Sequence, residues 1–293
     1  MIINKIKVKE IITKSNLPVC DYSVNPYVGC QHACKYCYAC FMKRFTGYND
    51  DWGTFVDVKY WDKIKNPQKY NGKELFLCSV TDPYQPCEEE YQRTKILLEE
   101  LKGSGAKLSI STKSDLILRD LELIKSFPNA RVSWSINTLD EDFKNDMDKG
   151  VSIERRFNAM KIFHDAGVRT TCFISPIFPG ITDVKAIIEM AEDKCNLIWL
   201  ENLNLRGTFK PVIISYIKQT RPELYPLYDE IYNKGSNLYW QELDADLQKF
   251  ASEKGLEYKT NDDSFLKPFE AKPVIVNYFY QVKLKNQQRN LKN

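Results

Sequence analysis

Nowhere in these 293 residues does an apolar run approach the roughly 18 residues that a membrane helix needs. A chain threaded through a bilayer as helices is therefore not expected. The first residues, MIINKIKVKEIITKS, are charged throughout and lack the long apolar core of a secretory leader. Net charge is also scarce. Lys and Arg number 42 against 39 Asp and Glu, leaving +3. That is too little to argue for a nucleic-acid backbone or an anionic membrane surface. The mildly basic end, VKLKNQQRNLKN, reads as a solvated tail. No internal repeat or low-complexity segment breaks the chain.

What is present is a globular composition, 43% hydrophobic and 28% charged, with length enough for a sizeable core. Nine cysteines occur without a leader. This points to a reducing, cytoplasmic setting, where clustered thiols serve metal or redox chemistry rather than disulfides. Cys172 and Cys195, in apolar or helix-flanking contexts, read as small buried hydrophobes.

Short β-rich runs recur at ELFLCSV (74–80), KLSIST (107–112), RVSWSI (131–136), RTTCFISPI (169–177) and NLIWLENL (196–203). Helical apolar spacing separates them at 88–102, 116–126, 153–166 and 182–193. Thr182 is the expected N-cap of the last of these, and Arg155 and Arg156 are expected to face solvent near the start of the third. With the segment before Cys30 as a first strand, about six β–α units follow, which implies an α/β fold with a parallel sheet. Polar groups cluster where the strands exit, in SVTDPYQP, STKSD, SINTLD, SPIFPGITD and ENLNLRG. In parallel sheets these ends carry function. The expected organisation is a core over 1–207 and a mainly helical C-terminal extension over 208–293, with two amphipathic helices and one strand-like run.

The densest feature is NPYVGCQHACKYCYAC. Cys30, Cys34 and Cys37 form C-x3-C-x2-C, and Cys40 follows. Thiolates suit iron–sulfur clusters, zinc or copper(I). Structural zinc sites pair two separated CxxC knuckles, whereas three thiolates on one loop suit a cubane cluster with one open iron. With Cys40 as a fourth ligand the site would be a closed zinc or iron–sulfur module. Otherwise Cys40 is an ordinary residue of a following helix, ACFMKRF, which is the reading preferred here.

This motif, with Tyr36 directly before Cys37, resembles the signature of the radical S-adenosylmethionine (radical SAM) superfamily. SVTDPYQPCEEEYQRT, STKSDLILRD, SINTLDE and SPIFPGITD resemble the branch containing spore photolyase. YCYACFMKRFTGYNDDWGTFVDVK and WLENLNLRG look closer to radical SAM mobile pair protein B. The resemblance covers roughly residues 20–207. It implies a partial (β/α)6 barrel of TIM type in which Cys30, Cys34 and Cys37 hold a [4Fe–4S] cluster. The open iron binds SAM, and one-electron reduction gives a 5′-deoxyadenosyl radical that takes hydrogen from an unidentified substrate. A reductant such as flavodoxin or ferredoxin is implied, as is a partner radical SAM protein. The substrate class is left open among nucleic acid, peptide and small molecule. Matching positions for SAM contact are Thr81, Lys113, Ser135 and Asn137. Tyr36 and Tyr38, flanking Cys37, match residues linked to radical transfer. One departure stands out. Ser79 matches the place of the photolyase's hydrogen-donating cysteine, and Cys78 lies one residue earlier, facing the other side of a regular strand. Cys87 is a further thiol near the site. Photolyase repair is therefore not the expected activity.

Overall fold

The computed structural model describes residues 1–17, 19–260 and 272–279; the basic tail lies outside them. The chain divides into two compact units, 1–134 with 145–170, and 135–144 with 171 onward.

In the first unit the strands are β1 (Ile2–Lys7), β2 (Ile12–Lys14), β3 (Tyr22–Val24), β4 (Tyr27–Val28), β5 (Phe55–Tyr60), β6 (Glu74–Leu77), β7 (Lys107–Thr112) and β8 (Arg131–Ser135), of which the last residue, Ser135, is counted in the second unit. β3, β6, β7 and β8 run parallel, with β2 antiparallel on the outer edge. Alternation sets the layers: on β7, Leu108, Ile110 and Thr112 are buried while the intervening residues are half-exposed. Leu75, Leu77, Val132 and Trp134 join them in the core. The helix Ile153–Asp165 adds Phe157, Met160 and Phe163, and Phe163 meets Trp134 edge-on with centroids 5.3 Å apart. Ser152 caps this helix by accepting from the Arg155 N–H at 3.3 Å.

A second, three-stranded sheet has the order β1–β5–β4. Neither β1 nor β5 was legible in the helix–strand alternation. Their consequence is that the cysteine loop does not leave the main sheet directly. The chain passes from β3 into β4, which pairs Tyr27 with Val58 and Val28 with Asp57. Only then does it turn at Gly29, where φ is +87° and a Cβ would collide with the Phe55 carbonyl.

In the second unit β9 (Arg169–Ile177), β10 (Leu197–Asn202), β11 (Tyr258–Thr260) and β12 (Val274–Asn277) are all parallel, in the order β9–β10–β12–β11. The C-terminal segment thus supplies two strands besides helices Tyr225–Tyr232 and Leu238–Lys254, and an earlier helix, Phe209–Thr220, was not anticipated. Cys172 and Cys195 are buried as expected. Thr182 is not the cap it was expected to be. Its hydroxyl donates to the Asn137 carbonyl at 2.7 Å, and Asp183 caps the helix Val184–Ala191 by accepting from the Ala186 N–H.

Candidate functional site

The three cysteines of the motif lie on an irregular loop, with tight turns marked by Ala33 N–H to Cys30 carbonyl (3.2 Å) and Cys37 N–H to Cys34 carbonyl (3.1 Å). Ala33 sits at φ +46°, the left-handed region. Cys40 belongs to the short 3-10 helix Tyr38–Phe45, which Cys37 opens.

Two buried carboxylates pin this loop. The first is Asp82, just past the end of β6. It accepts from the Tyr84 N–H and the Thr112 hydroxyl, both at 2.8 Å, and from the Lys113 N–H at 2.8 Å. His32, only 2% exposed, brings Nε2 to 3.1 Å from the same carboxylate, close enough for charge pairing although no hydrogen bond is aligned. Burial alone would raise the Asp82 carboxyl. The His32 ring and the N–H donors outweigh burial and hold it below the ordinary range. Asp82 therefore ties the cysteine loop to the exit of β7.

The second is Asp148. It accepts from Arg156 at 2.6 Å, Gly150 N–H at 2.9 Å and the Tyr36 hydroxyl at 3.0 Å. Here the sequence expectation fails: Arg156 is 1% exposed and ion-paired, not solvated. Arg155, its neighbour, does face outward and pairs with Asp115. Burial would raise the Asp148 carboxyl, but Arg156 and Lys113 hold it low. The same segment donates Lys149 N–H to the His32 carbonyl at 2.7 Å, and its Met147 carbonyl accepts from Lys35 N–H at 2.9 Å. Gly150 is needed for the closure, because a Cβ there would lie 2.7 Å from Arg156 Nη2 and 2.9 Å from Asp148 Oδ1.

Thr81 and Gln85 complete the cradle. The Thr81 hydroxyl donates to the Gly29 carbonyl at 2.5 Å, and Gln85 Oε1 accepts from the Gln31 N–H at 2.9 Å. Lys113 leaves β7 with its ammonium 5.8 Å from the Tyr36 ring centroid, and its charge lowers the Cys34 and Cys37 thiols. Burial dominates, however. It pushes Cys34 up to about 12, and raises Cys30, where Asp82, Cys34 and Cys37 add to it. Metal-free, these thiols stay protonated, and iron has to displace their protons. Among the described residues no three metal-binding side chains already converge on a common centre. The donor set nevertheless fits a soft metal cluster: three thiols on one braced loop, close enough to feel one another's charge.

Cys78 does not continue β6. The strand ends at Leu77, and Cys78 turns at φ +68° while its N–H donates to the Val24 carbonyl. Its thiol is buried and raised first by burial, then by Asp82 and Cys30. Ser79 instead hydrogen-bonds Ser23 at 2.9 Å. Seven of the nominated residues, Cys30, Cys34, Cys37, Tyr36, Cys78, Thr81 and Lys113, thus belong to the first unit. Ser135 and Asn137 belong to the second, where both are buried and Asn137 Nδ2 has no partner among the described residues. His32, Asp82, Gln85, Asp148 and Arg156 were missed. DPYQP signalled two of them, but no spacing signal marks the Asp148–Arg156 pair, which tertiary folding creates.

The radical SAM superfamily profile matches residues 24–193, more than half of the chain. The chain belongs to the radical SAM superfamily. Its cofactors are those of the superfamily, SAM and a [4Fe–4S] cluster. An uncharacterised protein of Methanocaldococcus jannaschii is 39% identical over 228 residues, covering 76% of this chain and 85% of that one. An uncharacterised protein of Mycobacterium tuberculosis is 28% identical, covering 74% and 68%. Among solved structures, spore photoproduct lyase with bound AdoMet and dinucleoside spore photoproduct superposes with TM-score 0.54 at 16% identity, covering 75% of this chain and 66% of that one. Streptococcus suis SuiB bound to its precursor peptide SuiA superposes with TM-score 0.53 at 12% identity, covering 91% and 50%. The chain therefore spans about two thirds of the first of these structures and half of the second. The fold they share with it is a partial TIM-type barrel, here with a mainly helical extension. No helix among the described residues is long and apolar enough to cross a membrane.

Proposed function

We propose that Cys30, Cys34 and Cys37 hold the [4Fe–4S] cluster and that the protein cleaves SAM reductively, using the 5′-deoxyadenosyl radical to take hydrogen from a substrate. The observation that carries this reading is the double pinning of the cysteine loop by Asp82 and Asp148, with Lys113 set against the same loop. When bound, the cluster supplies the electron and an open coordination position; the protein supplies orientation and exclusion of solvent.

Lys113 offers a cation for the SAM carboxylate, and Asp82 fixes the backbone from which it projects. Thr81 acts through the loop, by holding Gly29. Tyr36 is the candidate to flank the cofactor, supported by its ring under Lys113 and its hydroxyl bonded to Asp148. Ser135 and Asn137 are SAM contacts of the second unit, and the unpartnered Asn137 amide is suited to a ligand acceptor. Cys78, buried near Cys30, is kept as a catalytic candidate. The substrate class stays open among nucleic acid, peptide and small molecule, a second radical SAM protein is the proposed partner, and the compartment is the cytoplasm. Residues 1–207 are the core in this reading, and 208–293 shape the substrate side.

The rival reading is a closed metal module with Cys40 as fourth ligand. Anaerobic reconstitution with iron and sulfide separates the two. Four irons per chain in wild type and in Cys40→Ala, with an electron paramagnetic resonance (EPR) signal that changes on adding SAM, support the proposal. Zinc in place of iron, or metal lost with Cys40, overturns it.

A further inference from the structure

The helix Tyr38–Phe45 does not lead straight into β5. Between them the chain makes a loop, residues 46–54, that comes back onto the cysteine motif. Gly53 marks the return. Its φ is +96°, and a Cβ there would lie 2.7 Å from the Ala33 Cβ and 2.8 Å from the Ala33 Cα. Only glycine lets the two backbones lie this close. Thr54 fixes the turn by donating its N–H at 3.1 Å and its hydroxyl at 2.7 Å to the Asp51 carbonyl. Tyr48 anchors the other end, donating to Asp57 of β5 at 2.5 Å.

This packing decides where Trp52 goes. Its ring meets Phe55 edge-on, with centroids 5.8 Å apart and planes at 88°, and Phe55 in turn stacks on Tyr48 at 4.1 Å. The indole N–H is thereby delivered to the Cys37 sulfur. Burial raises that thiol, and the Ala39 N–H and the Trp52 indole N–H pull it back down. Cys30 is met in the same way by the His32 backbone N–H. The two backbone donors come with the turns of the motif itself. The indole comes from a separate loop, so its place is set by tertiary packing. Asp50 and Asp51 beside it are exposed. Water and salt screen their charges, whereas the N–H acts at the sulfur.

Hydrogen bonds to the sulfurs are among the levers that set the potential of an iron–sulfur cluster. Reduction adds negative charge, and a donor N–H stabilises the more negative state more strongly. We infer that Trp52 is a positioning residue for the radical chemistry, acting through Cys37, whose sulfur its indole N–H holds so that the cluster accepts an electron more readily. The inference rests on the cluster assignment above. The cluster gains one electron and the reductant loses one; no bond and no proton changes place. Trp52 alters only how favourable that step is.

The test is an EPR-monitored redox titration of reconstituted wild type and Trp52→Phe, which keeps a ring against Phe55 and removes the donor. Trp61→Phe is the control, since that indole donates to Glu100. Expected for Trp52→Phe is a roughly tenfold smaller ratio of reduced to oxidised cluster at a fixed potential, a fall in midpoint of about 59 mV for one electron. Iron content stays at the wild-type level, and Trp61→Phe titrates as wild type. A second measurement needs no variant to fold. Wild type grown with tryptophan labelled at the indole nitrogen is expected to show coupling of that nitrogen to the reduced cluster by electron–nuclear double resonance. An unchanged midpoint in Trp52→Phe, loss of iron with the remaining cluster titrating as wild type, or a labelled wild type without coupling would each overturn the inference. A wild-type protein with no reducible cluster would overturn the cluster assignment as well, an outcome distinct from the other three.

Discussion

Arg155 and Arg156 are adjacent, identical in type and on one helix, yet their replacement is expected to have very different consequences. Arg156→Met removes the guanidinium from a pair whose side chains are 1% and 0% exposed. Asp148 is then left as a buried carboxylate with only N–H and O–H donors. Breaking a buried pair in this way costs about 3–5 kcal/mol. For a chain of this size that corresponds to about 6–20 °C in Tm, at about 2–4 °C per kcal/mol. Arg155→Met breaks a pair whose arginine is 59% exposed, and such pairs contribute about 0–1 kcal/mol. Acid adds a second signature. In wild type the Asp148 carboxyl is held low. Its contribution is therefore present above the unfolded aspartate value of about 3.9 and lost as pH falls through the folded value. In Arg156→Met burial meets less opposition, the folded carboxyl moves up, and the variant's deficit shrinks as pH falls. Urea unfolding of the iron-free chain at neutral and acid pH measures both effects. Equal costs for the two arginines, or an Arg156→Met deficit that does not narrow in acid, would refute the reasoning. Adding Asp148→Asn to Arg156→Met should recover part of the loss, since no buried charge then remains.

Gly150→Ala is expected to destabilise by about 1–3 kcal/mol through overpacking against Arg156 and Asp148, while Gly47→Ala, which meets nothing within 4 Å, stays within about 0.5 kcal/mol in the same unfolding assay. Asp82→Ala strips three donors of their acceptor and removes the carboxylate that faces His32; SAM affinity, read by equilibrium dialysis, should fall more than in Lys113→Arg, which keeps the charge. Lys113→Ala should weaken SAM binding roughly tenfold, about 1.4 kcal/mol, with iron content unchanged.

Where the sequence was informative, periodicity or chemistry fixed the answer locally. KLSIST and RTTCFISPI match β7 and β9 residue for residue, because alternation on β7 and a β-branched, largely apolar run on β9 agree with burial. The three thiols were legible because few other roles place cysteines at that spacing. The braces were not. Arg156 lies in a stretch that reads as solvent-facing helix and Asp148 in a segment with no pattern to read, and only the packed fold removes them from water. β1 was opaque for the opposite reason: it is almost wholly exposed, so it carries no burial pattern to read. The left-handed turn at Cys78 is a backbone feature that no side-chain pattern announces, although the sequence did mark that position as one where a regular strand would misdirect the thiol.

The central claim is that this loop holds a cluster that cleaves SAM. Anaerobically reconstituted protein, given SAM and dithionite, is assayed for 5′-deoxyadenosine by chromatography, beside the Cys30→Ala, Cys34→Ala, Cys37→Ala triple variant and Cys40→Ala. The account predicts 5′-deoxyadenosine from wild type and from Cys40→Ala, and none from the triple variant. Product from the triple variant, or its loss in Cys40→Ala alone, would contradict it.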